Sequence, residues 1–134
     1  MSGTAKTTHQ VPLRSALGRV RGLGSAKSGV HHWWVQRMTA VALVPLCLWF
    51  IFAVLALAGE PLAVVQAWIG RPVNTVLLLC LIGAMFHHLQ LGMQVVIEDY
   101  VHEDGARLVG LLAMRAGVAL LALTAAVSVL KIAL

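Results

Sequence analysis

Two adjacent imidazoles, His87 and His88, interrupt a run of apolar residues, and eleven positions after His88 come Asp99 and Tyr100. Ionisable groups inside a long apolar segment are costly and mark function. An imidazole can ligate a metal through one ring nitrogen or pass a proton. A phenol can donate a hydrogen bond to a carbonyl, and a carboxylate beside it sets local charge. At 100° per residue, Ala84, His88, Gly92, Val95 and Asp99 fall on one helical stripe. It reads small, imidazole, small, branched, acid. Upstream, His31 and Arg37 flank another apolar run; a guanidinium there can clamp carboxylates.

The His88 stripe admits three chemistries. A flat metal macrocycle such as haem would take His88 as axial ligand, with Gly92 one turn on leaving room against the backbone. Close helix packing with a hydrogen-bonded histidine uses the same small residues. A proton relay would run through His87, His88 and Asp99. Periodicity leaves all three open. His87 lies about 100° around the helix from His88 and cannot share its iron. The apolar runs on either side contain no histidine, and Met114 is a poor substitute. A six-coordinate bis-histidine haem therefore needs its second ligand from another chain.

The elements that must position these groups follow from charge. The chain has 134 residues, 60% hydrophobic and 11% charged, with a formal charge of +5 and a mean hydropathy of +0.88. Soluble domains are about 25% charged, so an ordinary soluble fold and a charge-rich nucleic-acid binder are both excluded. Met38–Gly59 and Pro72–Ile97 carry no charge, and Leu108–Leu130 carries only Arg115. Each exceeds the roughly 20 residues that span a bilayer core. The expected fold is all-α: a three-transmembrane-helix membrane anchor with helices near 38–59, 73–98 and 107–131 and very short connections. Residues 1–29 form a basic tail and 30–134 the anchor domain. The tail is not a signal peptide, because the apolar run after it is long enough to span; a mitochondrial transit peptide is the competing reading.

Six of the ten Lys and Arg residues precede Met38, and Arg107 lies in the second loop; Arg71 and Lys131 lie on the other side. The positive-inside bias predicts a cytoplasmic (or matrix) amino terminus and a periplasmic carboxyl terminus. Arg115 either snorkels to the interface or makes a contact inside the bundle. Trp33, Trp34 and Trp68 suit the interfacial belt, Pro45 a kink in the first span, and Cys47 and Cys80 unreactive apolar thiols. No GxGxxG or cysteine cluster suggests a flavin, dinucleotide or iron–sulfur site.

Taken together, Gly29-Val30-His31, Arg37-Met38-Thr39-Ala40, His88-x-x-x-Gly92 and Asp99-Tyr100-Val101 resemble the small hydrophobic anchor subunit of succinate dehydrogenase, respiratory complex II. The resemblance runs from about Gly29 to the carboxyl terminus. It implies that His88 is the axial ligand of haem b, with Gly92 beside the ring. His31 and Arg37 would lie near the propionates, and Tyr100 and Asp99 at a ubiquinone site. It also implies a second three-helix anchor of cytochrome b type supplying the other axial histidine. Flavoprotein and iron–sulfur subunits would dock on the cytoplasmic face, in a bacterial or mitochondrial inner membrane. A fumarate reductase anchor using menaquinone and a small proton-relay membrane protein are the rival readings.

Overall fold

The computed structural model describes Leu17, Val20 and residues 27–134. The described chain is all helical, in the order α1 (Lys27–Leu57), α2 (Leu62–Ile69), α3 (Pro72–Tyr100) and α4 (Asp104–Ala133). Most of the expected basic tail, residues 1–29, lies outside the described residues. The three long helices contain 31, 29 and 30 residues and are apolar enough to cross a membrane. At 1.5 Å per residue each runs about 44–46 Å, well beyond a hydrocarbon core of about 30 Å.

That excess explains why α1 starts at Lys27 rather than near Met38. Charge marks where the apolar core begins. Helical hydrogen bonding continues past it, because water and headgroups tolerate His31, His32 and Arg37 on helical backbone. α1 also continues through Pro45.

The first connection contains a helix, α2, where a very short link was expected. Gly59 turns the chain with φ +84, a conformation that other residues adopt only at a cost. Pro61, at φ −60, then stands as the α2 N-cap. The last α2 carbonyls find donors on the next helix: Asn74 Nδ2 donates to the Trp68 carbonyl and Thr75 Oγ1 to that of Ile69, both at 2.7 Å. These bonds satisfy acceptors that a helix end leaves open. Trp68 stacks on Trp49 of α1, with centroids 5.6 Å apart and planes 22° from parallel. An apolar cavity of 320 Å³ opens beside them, lined by residues that include Phe50, Val54, Val65 and Leu78.

α3 is the central helix: α1 packs on it, α4 packs on it, and α2 touches both α3 and α4. Among the described residues the buried side chains are Leu78, Leu81 and Leu91 of α3 and Val118 of α4. A Cβ added at Gly110 would stand 3.7 Å from Ile97 Cγ2, so α4 approaches α3 closely where it has no side chain. Outer faces bearing Phe52, Leu55, Leu120 and Leu123 are exposed. In water such apolar area would be untenable; acyl chains solvate it. Cys47 and Cys80 are free, Cys47 half-buried and Cys80 exposed.

Candidate functional site

Gly29, His32, Gln36 and Thr39 recur at steps of three and four along α1, so they share one face. That face meets α3 at His88. His88 Nδ1 lies 3.0 Å from Thr39 Oγ1 and His88 Nε2 lies 3.4 Å from Gln36 Nε2. The Thr39 hydroxyl is also 2.9 Å from the Val35 carbonyl and 3.0 Å from that of Gln36, and donates its one hydrogen back to its own helix. Both nitrogens of a half-buried imidazole are thus engaged by the neighbouring helix.

Next to this contact is a polar groove of 600 Å³. Gly29, His32, Trp33 and Gln36 form the α1 wall; Gly92, Gln94, Val95 and Glu98 form the α3 wall. His32 Nε2 and Gln36 Oε1 are buried with no hydrogen-bond partner. An unpaired buried polar atom costs about 1–3 kcal/mol, so the groove offers unmet polar capacity to a ligand. A Cβ at Gly92 would meet only Gln36 Nε2, at 3.8 Å, leaving the wall open. An imidazole at the edge, a glycine in the wall and orphaned polar atoms inside together fit a flat, polar-edged cofactor such as haem.

The other expected residues are more scattered. His31 and His87 are exposed. Arg37 is exposed and places its guanidinium 5.1 Å over the Trp33 ring. Asp99 and Tyr100 end α3, with Tyr100 79% exposed; the groove wall takes Glu98 instead. His32 and Gln36 were not singled out from the sequence, and Thr39 entered only within the Arg37-Met38-Thr39-Ala40 motif. The signal that could have found them is their helical spacing from Gly29, once α1 is extended back to Lys27.

A polar chain joins α4 to the groove. Arg115 Nη2 donates to Gln94 Oε1 at 3.2 Å, and Gln94 Nε2 donates to Glu98 Oε1 at 2.7 Å. Arg115 thus makes a contact between helices, but from an exposed position and not from inside the bundle. In the loop, the Glu103 carboxylate caps α4 by accepting from the Ala106 and Gly105 amides. Those two bonds, Ala106 first, hold its pKa below the ordinary 4.5. Asp104 and Arg107 pair one turn apart on the surface.

Fold and groove define a three-span membrane anchor whose central helix carries a histidine bonded to the neighbouring helix beside a groove at one end. The chain belongs to the succinate dehydrogenase/fumarate reductase transmembrane subunit family, whose pattern matches residues 11–130. It is 40% identical over 89 residues to the succinate dehydrogenase hydrophobic membrane anchor subunit of Rickettsia bellii, covering 66% of this chain and 71% of that one. It is 34% identical over 92 residues to the succinate dehydrogenase membrane anchor subunit of Reclinomonas americana, covering 66% and 77%. The Paracoccus denitrificans hydrophobic membrane anchor subunit is 35% identical over 80 residues, covering 59% and 61%. No solved structure matches significantly. These relatives and the three apolar helices make the chain a multi-pass inner-membrane protein.

Proposed function

We propose that the chain is the membrane anchor and electron-transfer subunit of a succinate:ubiquinone oxidoreductase, with haem b held at His88 and ubiquinone bound near Tyr100 and Asp99. One observation carries the reading. The only histidine whose two ring nitrogens are both engaged by a neighbouring helix, among the described residues, stands beside a groove with a glycine wall and orphaned polar atoms. The similarity to succinate dehydrogenase anchor subunits favours succinate oxidation over fumarate reduction.

His88 would hold the iron through Nε2, and Gly92 would face the ring. When bound, the haem supplies a one-electron store close to the quinone. α1 reaches back to include His31 and His32, so the expectation of a first helix free of histidine is revised. His32 is nonetheless seven residues before Thr39, about 10 Å along the axis. His32 would therefore meet a polar edge of the bound group, and another anchor subunit would supply the second histidine. Arg37, exposed on the same end of α1, adds positive charge there for carboxylates, and His31 beside it can hydrogen-bond them.

At the end of α3, the Tyr100 hydroxyl would donate to a quinone carbonyl while Asp99 keeps that end negative. Tyr100 is exposed and has no hydrogen-bond partner among the described residues, which leaves its donor free for substrate. The end of α3 and the start of α1 lie on the side that the basic residues mark as cytoplasmic. Flavoprotein and iron–sulfur subunits would dock there and carry out the succinate chemistry; this chain positions the quinone and excludes water around the haem.

Two variants of the purified complex test the reading. His88→Ala should abolish the b-type reduced-minus-oxidised signal; a signal of wild-type size would remove the ligand. Tyr100→Phe should reduce quinone reductase activity at least tenfold while succinate oxidation by a soluble artificial acceptor is kept. Equal loss of both activities would refute the quinone role.

A further inference from the structure

We infer that Thr39 is a positioning residue that fixes the tautomer of His88 and strengthens it as a metal ligand, an inference that rests on the proposed haem role of His88. The Thr39 hydroxyl has one hydrogen and three possible partners around it. Its oxygen is 2.9 Å from the Val35 carbonyl, 3.0 Å from the Gln36 carbonyl and 3.0 Å from His88 Nδ1. Back-donation to the carbonyl four residues earlier is the ordinary use of a helical threonine hydroxyl. With its hydrogen there, the oxygen can only accept from the ring, so the proton sits on Nδ1.

The contact at the other nitrogen agrees. Deprotonated Nε2 faces Gln36 Nε2, an amide donor, at 3.4 Å. This arrangement makes three hydrogen bonds: hydroxyl to carbonyl, Nδ1–H to hydroxyl, amide to Nε2. The opposite tautomer makes two. It turns the hydroxyl away from its own helix toward Nδ1 and requires the Gln36 amide to be reversed. In a membrane interior, where no water compensates a lost bond, the three-bond arrangement wins.

The consequence concerns the ligand atom. Nε2 is presented as a lone pair on the groove side, covered only by a long, weak amide contact. Gln36 is itself poorly satisfied, since its Oε1 is buried without a partner. An arriving metal can displace that amide without breaking a strong bond. Thr39 remains on Nδ1, as ligating histidines donate their other N–H to a fixed acceptor; losing such a partner costs 10–100-fold in metal affinity or activity. Donation from Nδ1–H makes the imidazole more basic, which favours the more highly charged ferric iron and lowers the midpoint potential.

The test has two arms. The first uses the full chain, 15N-labelled at histidine, in lipid nanodiscs without haem. The His88 nitrogen shifts should show a proton on Nδ1 and none on Nε2; protonated Nε2 would overturn the inference whether or not haem ever binds. The second uses the assembled complex. Thr39→Val, close to threonine in shape, should retain haem but raise its midpoint potential. Ferric affinity weakened tenfold relative to ferrous corresponds to about 59 mV for a one-electron couple. Thr39→Ser, which restores the hydroxyl, should return the wild-type potential and low-spin spectrum. An unshifted potential in Thr39→Val, with haem still lost in His88→Ala, overturns the role of Thr39 and spares that of His88. Haem that survives His88→Ala instead refutes the ligand on which the inference rests.

Discussion

Replacing Gly92 separates a groove that holds a planar ring from one that merely exists. The glycine lies in the α3 wall, and a Cβ there meets only the Gln36 amide nitrogen, at 3.8 Å. That is ordinary van der Waals contact. Gly92→Ala therefore costs no clash and removes a flexible residue from a helix interior, a gain of about 0.5–1 kcal/mol. At 1.4 kcal/mol per tenfold, this is roughly a two- to fivefold shift toward the ordered helix. Gly92→Leu carries three further carbons into the groove, against the amide and across the face proposed for the haem. Overpacking of this kind costs about 1–3 kcal/mol, which weakens occupancy by roughly 5- to 140-fold. The assay is the haem-to-flavin ratio of the purified complex, alongside its thermal midpoint. The alanine variant should keep the wild-type ratio and an equal or higher midpoint; the leucine variant should assemble with the haem largely missing. A leucine variant with a full haem complement would show that the ring does not lie against Gly92. An alanine variant as depleted as the leucine one would show that the 3.8 Å gap does not describe the loaded site.

Two other perturbations probe the elements around the groove. Arg115→Leu removes a cation whose insertion near a helix centre costs about 2.5–3.5 kcal/mol, against an interhelical hydrogen bond to Gln94 of about 0.6 kcal/mol. The fraction of α4 inserted by a translocon should rise, and a fall would show that the contact with Gln94 outweighs the charge. Glu103 is a carboxylate whose pKa is lowered by the Ala106 and Gly105 amides, so its contribution to the α4 start is present above the ordinary value of 4.5 and fades as pH falls through the folded value. Amide exchange at Gly105 and Ala106, corrected for intrinsic rates, should lose protection on acidification in the wild type. In Glu103→Ala protection should be low at every pH; an unchanged acid-dependent profile in that variant would refute the cap.

The spans were legible because their cause is simple: Met38–Gly59 and Pro72–Ile97 have no charge, and acyl chains accept little else of that length. The start of α1 and the existence of α2 were not. Apolar run length reports where the hydrocarbon begins, whereas helix length is set by backbone hydrogen bonds that continue into the interface. Leu62–Ile69 is as apolar as a span but lies between Pro61 and Gly70, too short to cross, and its closing acceptors are met by Asn74 and Thr75 from the following helix. That pairing is a tertiary fact with no local signature. His88 and Gly92 were legible as polar and small positions on one stripe. The face shared by His32, Gln36 and Thr39 was hidden because it is visible only once residues before Met38 are read as helix.

The two ends of the molecule use opposite solvents. Near Trp49 and Trp68 the space between helices is an apolar cavity, and nothing in its lining calls for a polar occupant. Near His88 the space between α1 and α3 is lined by an imidazole, two glutamines and a carboxylate, with two polar atoms left unpaired. A membrane helix pair has no hydrophobic drive to hold it together, because lipid is as apolar as leucine. Polar groups then persist between helices where an internal network or a ligand satisfies them. The internal network here is incomplete: Thr39 satisfies one side of His88, the Arg115–Gln94–Glu98 chain satisfies the α3 wall, and His32 Nε2 and Gln36 Oε1 remain unmet. A chain built only to anchor its partners gains nothing from that deficit. A chain that receives a polar-edged cofactor between its helices needs it.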